Sequence, residues 1–268
     1  MGPRALVVEV TYAATMIEYE VQDHVAVITI NRPEARNAVN AEVASGIEES
    51  LDRMEADDDV WVGILTGAGP VFSAGADLKA ISSGQAGGLT TARGGFAGLV
   101  ARARTKPLIA AVDGPALAGG TEIVLACDLV VASTGARFGV PEVKRSLVAA
   151  GGGLFRLPKK LPHNIALELV LTGDPISAER AHDFGLVNVL CEPGQALTAA
   201  LELAGRITTN APLAVRESLA VVNASERLED AEAFRLSNEA MARLAATEDF
   251  AEGPRAFIEK REPQWKGR

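Results

Sequence analysis

The chain is predicted to be an α/β domain that closes in a helical C-terminal part. Two patterns predict it. From Ile17 to Ala132, short Val- and Ile-rich runs alternate with segments of helical period. Beyond Ile165 the apolar residues recur mostly at helical spacing. Strands and helices in alternation, followed by helices alone, make a sheet layer covered by helices. With 268 residues the chain is near the upper size for one hydrophobic core.

Ile17 to Ile30 alternates and reads as two short strands joined at Asp23-His24. Asn31-Arg32-Pro33 breaks the pattern. Val43, Ile47, Leu51 and Met54 then recur at three and four residues, a helix with one buried face between Val39 and Met54. Asp57-Asp58-Asp59 is a solvated corner, and Val60 to Thr66 is a buried strand. Gly67 to Pro70 turns, and Val71-Phe72 begins a short element. Eight glycines and serines between Ile81 and Gly98 mark a mobile loop. Pro107 to Val112 is a strand, Gly119 to Cys127 a helix, Leu129 to Ala132 a strand, and Phe138 to Glu142 a loop. Gly151-Gly152-Gly153 opens a helix towards Leu157. Helices follow at Ile165 to Leu171, Ala178 to Phe184, Ala196 to Ile207, Pro212 to Asn223, Glu229 to Ala246 and Pro254 to Lys260. The expected division is a core over 1–205, with an N-terminal extension over 1–15, and a helical region over 206–268.

Composition excludes several function classes. The net charge of −9 repels phosphate polymers, and aromatics at 4% leave few stacking platforms, so nucleic acid is not an expected partner. Cys127 and Cys191 show no CxxC spacing and read as reduced thiols, which points to a cytoplasmic protein. His24, His163 and His182 are too scattered to suggest a metal site. The apolar run at the N-terminus is broken by Glu9, which argues against a signal peptide or a membrane anchor.

The chemistry concentrates between Pro107 and Ser133. This stretch is apolar or small except for Asp113, Glu122 and Asp128. Glu122 follows Gly119-Gly120-Thr121, where a turn opens a helix. Glycines leave backbone N–H groups bare to hold an oxyanion, and a buried carboxylate can move a proton. The plainer reading is an acid set favourably against a helix dipole; it does not explain the apolar surroundings. Ser73 to Asp77 offers a second set of small residues around a glycine, by itself an ordinary tight turn. Glu142 alone reads as a loop acid. Converging with Glu122, it would form an acid–base pair with divergent environments. Asp113, Asp128 and Asp77 read as turn, helix end and cap. Gly67-Ala68-Gly69 fails the dinucleotide fingerprint, because the third glycine would fall at Phe72.

Taken in order, these pieces resemble the enoyl-CoA hydratase/isomerase family, the crotonase family. The matching stretches are Asn31-Arg32-Pro33 with Asn37-Ala38, Phe72 to Leu78, Ile109 to Asp128 and Phe138 to Glu142. Leu171 to Gly173 with Ile176 to Ala178, Gly185 to Val187 and Phe257 to Arg261 also match. The resemblance runs from Ile17 to Arg268. It implies a crotonase-like spiral of ββα units and a C-terminal helical region that packs in a trimer or a dimer of trimers. It implies an acyl-CoA thioester substrate, with coenzyme A part of that substrate and no separate cofactor. The oxyanion hole would be the N–H groups of Ala76 and Gly119. Glu122 would activate the water that adds to C3, and Glu142 would give a proton to C2. Arg36, Ala38, Ala74, Asp77 and Leu78 would line the CoA path, and Lys260 would reach a CoA phosphate, its own or a neighbour's. The implied activity is enoyl-CoA hydratase in fatty-acid or related acyl-CoA metabolism. Double-bond isomerisation, other family chemistry on acyl-CoA, and a non-catalytic acyl-CoA-binding role are the alternatives. Val140, Ala118, Ala150 and Lys144-Arg145 depart from the hydratase pattern.

Overall fold

The structure, a computed structural model, describes residues 15–268. The expected N-terminal extension lies almost wholly outside them. Strands β1 (Ile17–Gln22) and β2 (Val25–Ile30) form an antiparallel hairpin, with Asp23 and His24 at positive φ in the turn. Helix α1 (Ala41–Ala56) is capped by the Asn40 side chain, which accepts from Val43 N at 2.9 Å. It buries Val43, Ile47, Leu51 and Met54, the face its spacing predicts. Strand β3 (Val62–Gly67) follows, then the short helix α2 (Leu78–Ser82), whose cap is Asp77.

The segment expected as a mobile loop is folded. It carries a 3-10 turn at Ala86–Leu89 and a minimal hairpin of β4 (Thr90–Thr91) and β5 (Gly95–Phe96). Its polar groups are bonded to α1: Glu48 accepts from Thr91 Oγ1 (2.7 Å) and Gly94 N (2.9 Å), and Asp52 pairs with Arg93 and Arg102. Leu89, Ala97 and Leu99 are buried beneath it.

Strand β6 (Leu108–Val112), β7 (Ala116–Leu117), helix α3 (Gly119–Leu125), β8 (Leu129–Ser133) and β9 (Arg137–Gly139) come next. The stretch expected as a loop from Phe138 is thus the end of β9 and a 3-10 turn over Pro141–Arg145. Helices α4 (Gly153–Lys160) and α5 (His163–Thr172), strand β10 (Ile176–Ser177), α6 (Ala178–Asp183) and β11 (Val189–Cys191) complete the layers. Helix α7 (Ala196–Thr208) spans the expected boundary at 205/206 and buries Ala196, Ala200 and Ala204 against the sheet. Helices α8 (Pro212–Ser225), α9 (Asp230–Ala245) and α10 (Glu248–Glu259) end the chain. The last helix starts before the expected Pro254, which lies inside α10.

Two sheets grow in chain order. The larger runs β1-β2-β3-β6-β8-β11, parallel after the first hairpin; the smaller runs β10-β9-β7. Each turn of chain lays its strand beside the previous one, which is a spiral. The main core lies between the large sheet, α1 and α3. The five strands from β2 onward are almost continuously apolar, as parallel strands covered on both faces must be.

Candidate active site

Two bare amides meet where the chain crosses itself. Val39 forms a parallel bridge to Ala76: Val39 N donates to Gly75 O (2.8 Å), and Asp77 N donates to Val39 O (2.9 Å). Amides alternate sides along extended chain, so Ala76 N–H faces the other way. Among the described residues no acceptor meets it. Gly119 N is likewise without an acceptor there, since the first N–H groups of a helix have no partner within it. The two segments touch closely. A Cβ added at Gly75, which sits at φ +83°, would lie 2.6 Å from Gly119 N. One added at Gly119 would lie 2.5 Å from the Phe96 ring edge, and one at Gly120 2.1 Å from Ser73 O. Side chains at these three positions would push the amides apart.

The two acids are brought together by one threonine. Thr121 Oγ1 is fully buried; it accepts from Gly139 N at 2.9 Å and donates to Ala116 O at 2.6 Å. Ala118 N donates to Gly139 O at 2.9 Å. These bonds clamp the start of α3 to the end of β9. Three residues beyond Gly139, the 3-10 turn begun by Pro141 presents Glu142 to the same cleft as Glu122.

Glu122 is buried, at 4% exposure, and its Oε1 accepts from Gly153 N at 3.0 Å. Burial is the main reason its carboxyl is pushed up to about 7; the nearby Glu142 charge adds to this, and the Gly153 and Gly151 amides oppose it. Glu142 is also raised, by burial first, against the opposing charge of Arg145. Its Oε2 is buried and has no partner among the described residues. A buried carboxylate oxygen left open towards a cleft is what a reacting water or substrate would satisfy.

The cleft is about 1300 Å³. Ala76, Gly119, Glu122 and Glu142 all line it, as do Arg36, Ala38, Ala74, Asp77 and Leu78. Asp77 is already engaged: it pairs with Arg32 at 2.6 Å and accepts from Lys79 N at 2.9 Å, which holds its carboxyl below the usual range. Lys260 is not on the cleft of this chain; it is the left-handed cap of α10. Among the described residues no cluster of three or more His, Cys, Asp or Glu is placed to hold a metal ion. None of their helices is long and apolar enough to cross a membrane.

Sequence reasoning missed three supports. Thr121 gave no signal beyond its place beside Glu122. Asn37, fully buried, accepts from Arg32 N and donates to Ala68 O and Val71 O, pinning the 31–40 segment under the turn after β3. Gly151 backs Glu122 directly: a Cβ there would lie 2.6 Å from Oε2.

Comparison with known proteins identifies the family. Residues 20–268 match the model of the family described as enoyl-CoA hydratase/isomerase. The chain is 42% identical over 256 residues to enoyl-CoA hydratase EchA19 of Mycobacterium tuberculosis, covering 93% of this chain and 96% of that protein. It is 40% identical over 247 residues to mevalonyl-coenzyme A hydratase sidH of Aspergillus fumigatus, covering 91% and 92%. The crystal structure of an enoyl-CoA hydratase from M. tuberculosis H37Rv superposes with a TM-score of 0.92 at 48% identity, over 95% of this chain and all of that one. The spiral and its cleft define a crotonase-fold enzyme. The chain belongs to the enoyl-CoA hydratase/isomerase family, and it is a hydro-lyase.

Proposed function

We propose that the enzyme adds water reversibly across the C2–C3 double bond of a trans-2-enoyl-CoA thioester. The observation that carries this is the pairing of two raised carboxyls, buried Glu122 and half-buried Glu142, on the cleft that also holds the Ala76 and Gly119 amides. The thioester oxygen accepts from both amides. Ionised Glu122 takes a proton from the bound water as its oxygen bonds to C3. The C2–C3 π pair moves toward C1 and the thioester oxygen carries the charge, where the two N–H groups stabilise it. The enolate then collapses, and C2 takes the proton of Glu142. One turnover leaves Glu122 protonated and Glu142 ionised; a fresh water that enters after product release relays the proton from Glu122 to Glu142 and resets the pair. Both acids standing on one cleft favours hydration over isomerisation, for which one shuttling acid suffices.

Arg36, Ala38, Ala74 and Leu78, on the same cleft, are assigned to the CoA portion. Asp77 acts there through Arg32 and as the α2 cap. Lys260 is assigned to a CoA phosphate on a neighbouring subunit. A trimer or dimer of trimers is supported by Phe234, Phe257 and Ile258, exposed on α9 and α10 at 70%, 86% and 79%.

Mixing with crotonyl-CoA should remove the ultraviolet absorbance of the conjugated thioester. Glu122→Gln and Glu142→Gln should each lower kcat by about 10²- to 10⁴-fold with acyl-CoA affinity kept. Full turnover in both variants would refute the two-carboxylate scheme.

A further inference from the structure

We infer that Arg156 is a positioning residue of this site: it ties the loop behind Glu122 to the segment that braces Gly119, and it supplies the cation that faces Glu122. Its side chain leaves α4 and turns back under the cleft. Nη2 donates to Val100 O at 2.6 Å, and Nη1 donates to Gly151 O at 3.3 Å. Val100 N in turn donates to Phe96 O at 3.2 Å, and the Phe96 ring edge packs on Gly119. One guanidinium therefore joins the support of the amide to the support of the acid. Gly152 makes room for it. That residue lies at φ +113°, and a Cβ there would be 2.0 Å from Nη1.

The charges around Glu122 are Glu142 on the 3-10 turn, which disfavours its ionisation, and Arg156 on α4, which favours it. Arg156 is itself half-buried and its pKa is lowered, first by that burial; Arg104 and Arg227 act in the same direction, while Glu122 and the Cys127 thiol oppose them. Arg104 is engaged with Asp128, at 2.8 and 3.4 Å. Beside the Gly153 and Gly151 amides, which favour the ionised form more strongly, this cation helps a buried carboxylate next to a second acid act as a base near neutral pH.

The inference rests on the proposed hydration, but its test reads the carboxyl itself. The Glu122 carboxyl band is titrated by infrared difference spectroscopy, assigned by its loss in Glu122→Gln. Arg156→Gln keeps a donor and deletes the charge; Arg156→Lys keeps the charge. The Arg156→Gln midpoint should rise by about one pH unit, and the Arg156→Lys midpoint should stay near that of the wild type. With crotonyl-CoA, kcat near pH 7 should fall about fivefold in Arg156→Gln with KM little changed, its acidic limb moving with the carboxyl. A purely structural role would lower the melting temperature and leave the midpoint in place, which overturns the inference. Should Arg156→Gln not fold, Arg156→Lys still decides: a raised midpoint with the charge retained overturns it. Absence of turnover on any enoyl-CoA would sink the hydration reading and leave the titration standing.

Discussion

Gly151→Ala is the sharpest small perturbation the site allows. Gly151 is not at positive φ, so alanine suits its backbone. The added Cβ would stand 2.6 Å from Glu122 Oε2, 2.9 Å from Cδ and 3.2 Å from Oε1. Ordinary contact begins near 3.4 Å, so Oε2 must move by about 0.8 Å. The carboxylate cannot slide freely, because Oε1 is held by Gly153 N at 3.0 Å. It swings away from the reacting carbon or drags the Gly153 amide with it. A misplacement of about 1 Å costs on the order of 10²-fold in rate. Stopped-flow decay of enoyl-thioester absorbance should therefore show kcat reduced about 100-fold, with KM close to that of the wild type because the end of the cleft assigned to CoA is untouched. An unchanged kcat in a well-folded Gly151→Ala variant would mean that Glu122 does not act from this position.

Two further outcomes follow from strain and from linkage. Ala118 sits at φ 53°, ψ −126°, a conformation that suits glycine. Such strain costs about 1–3 kcal/mol, and glycine returns about 0.5–1 kcal/mol of that in chain entropy, so Ala118→Gly should stabilise by about 1 kcal/mol; a lower urea midpoint would contradict this. Glu122 has its folded pKa raised from 4.5 to about 7. Its contribution to stability is full below about 4.5 and is lost as pH rises through about 7, on the order of 3 kcal/mol. Urea unfolding near pH 5 and near pH 8 should show Glu122→Gln gaining on the wild type across that window, and parallel slopes would contradict it.

The alternation around Ile17–Ile30 and the 3,4 spacing from Val43 to Met54 were readable because each buries one face. Glu122 stood out because an acid in an apolar run has few structural uses. Its approach to Glu142 was not readable, because it depends on Thr121 and on two- and three-residue strands that carry no periodic signal. Gly151 to Gly153 read as a helix start, and the helix is there; what the glycines also do, letting the chain pack against the Glu122 carboxylate, carries no local signal. Residues 81–98 looked mobile because glycine and serine dominate. Their hydrogen-bond partners, Glu48 and Asp52, sit on α1, more than forty positions upstream of Gly94 and Arg93, beyond the reach of any local pattern. Pro254 misled for a different reason: α10 has already started at Glu248, capped by Thr247, before the proline is reached.

The most direct test of the account is a structure of the enzyme with a slow or unreactive enoyl-CoA analogue. The thioester oxygen should lie about 2.7–3.2 Å from both Ala76 N and Gly119 N, with Glu122 and Glu142 flanking C3 and C2 across one ordered water. A thioester oxygen bound away from those amides, or an alkene that meets only one of the two carboxylates, would contradict it.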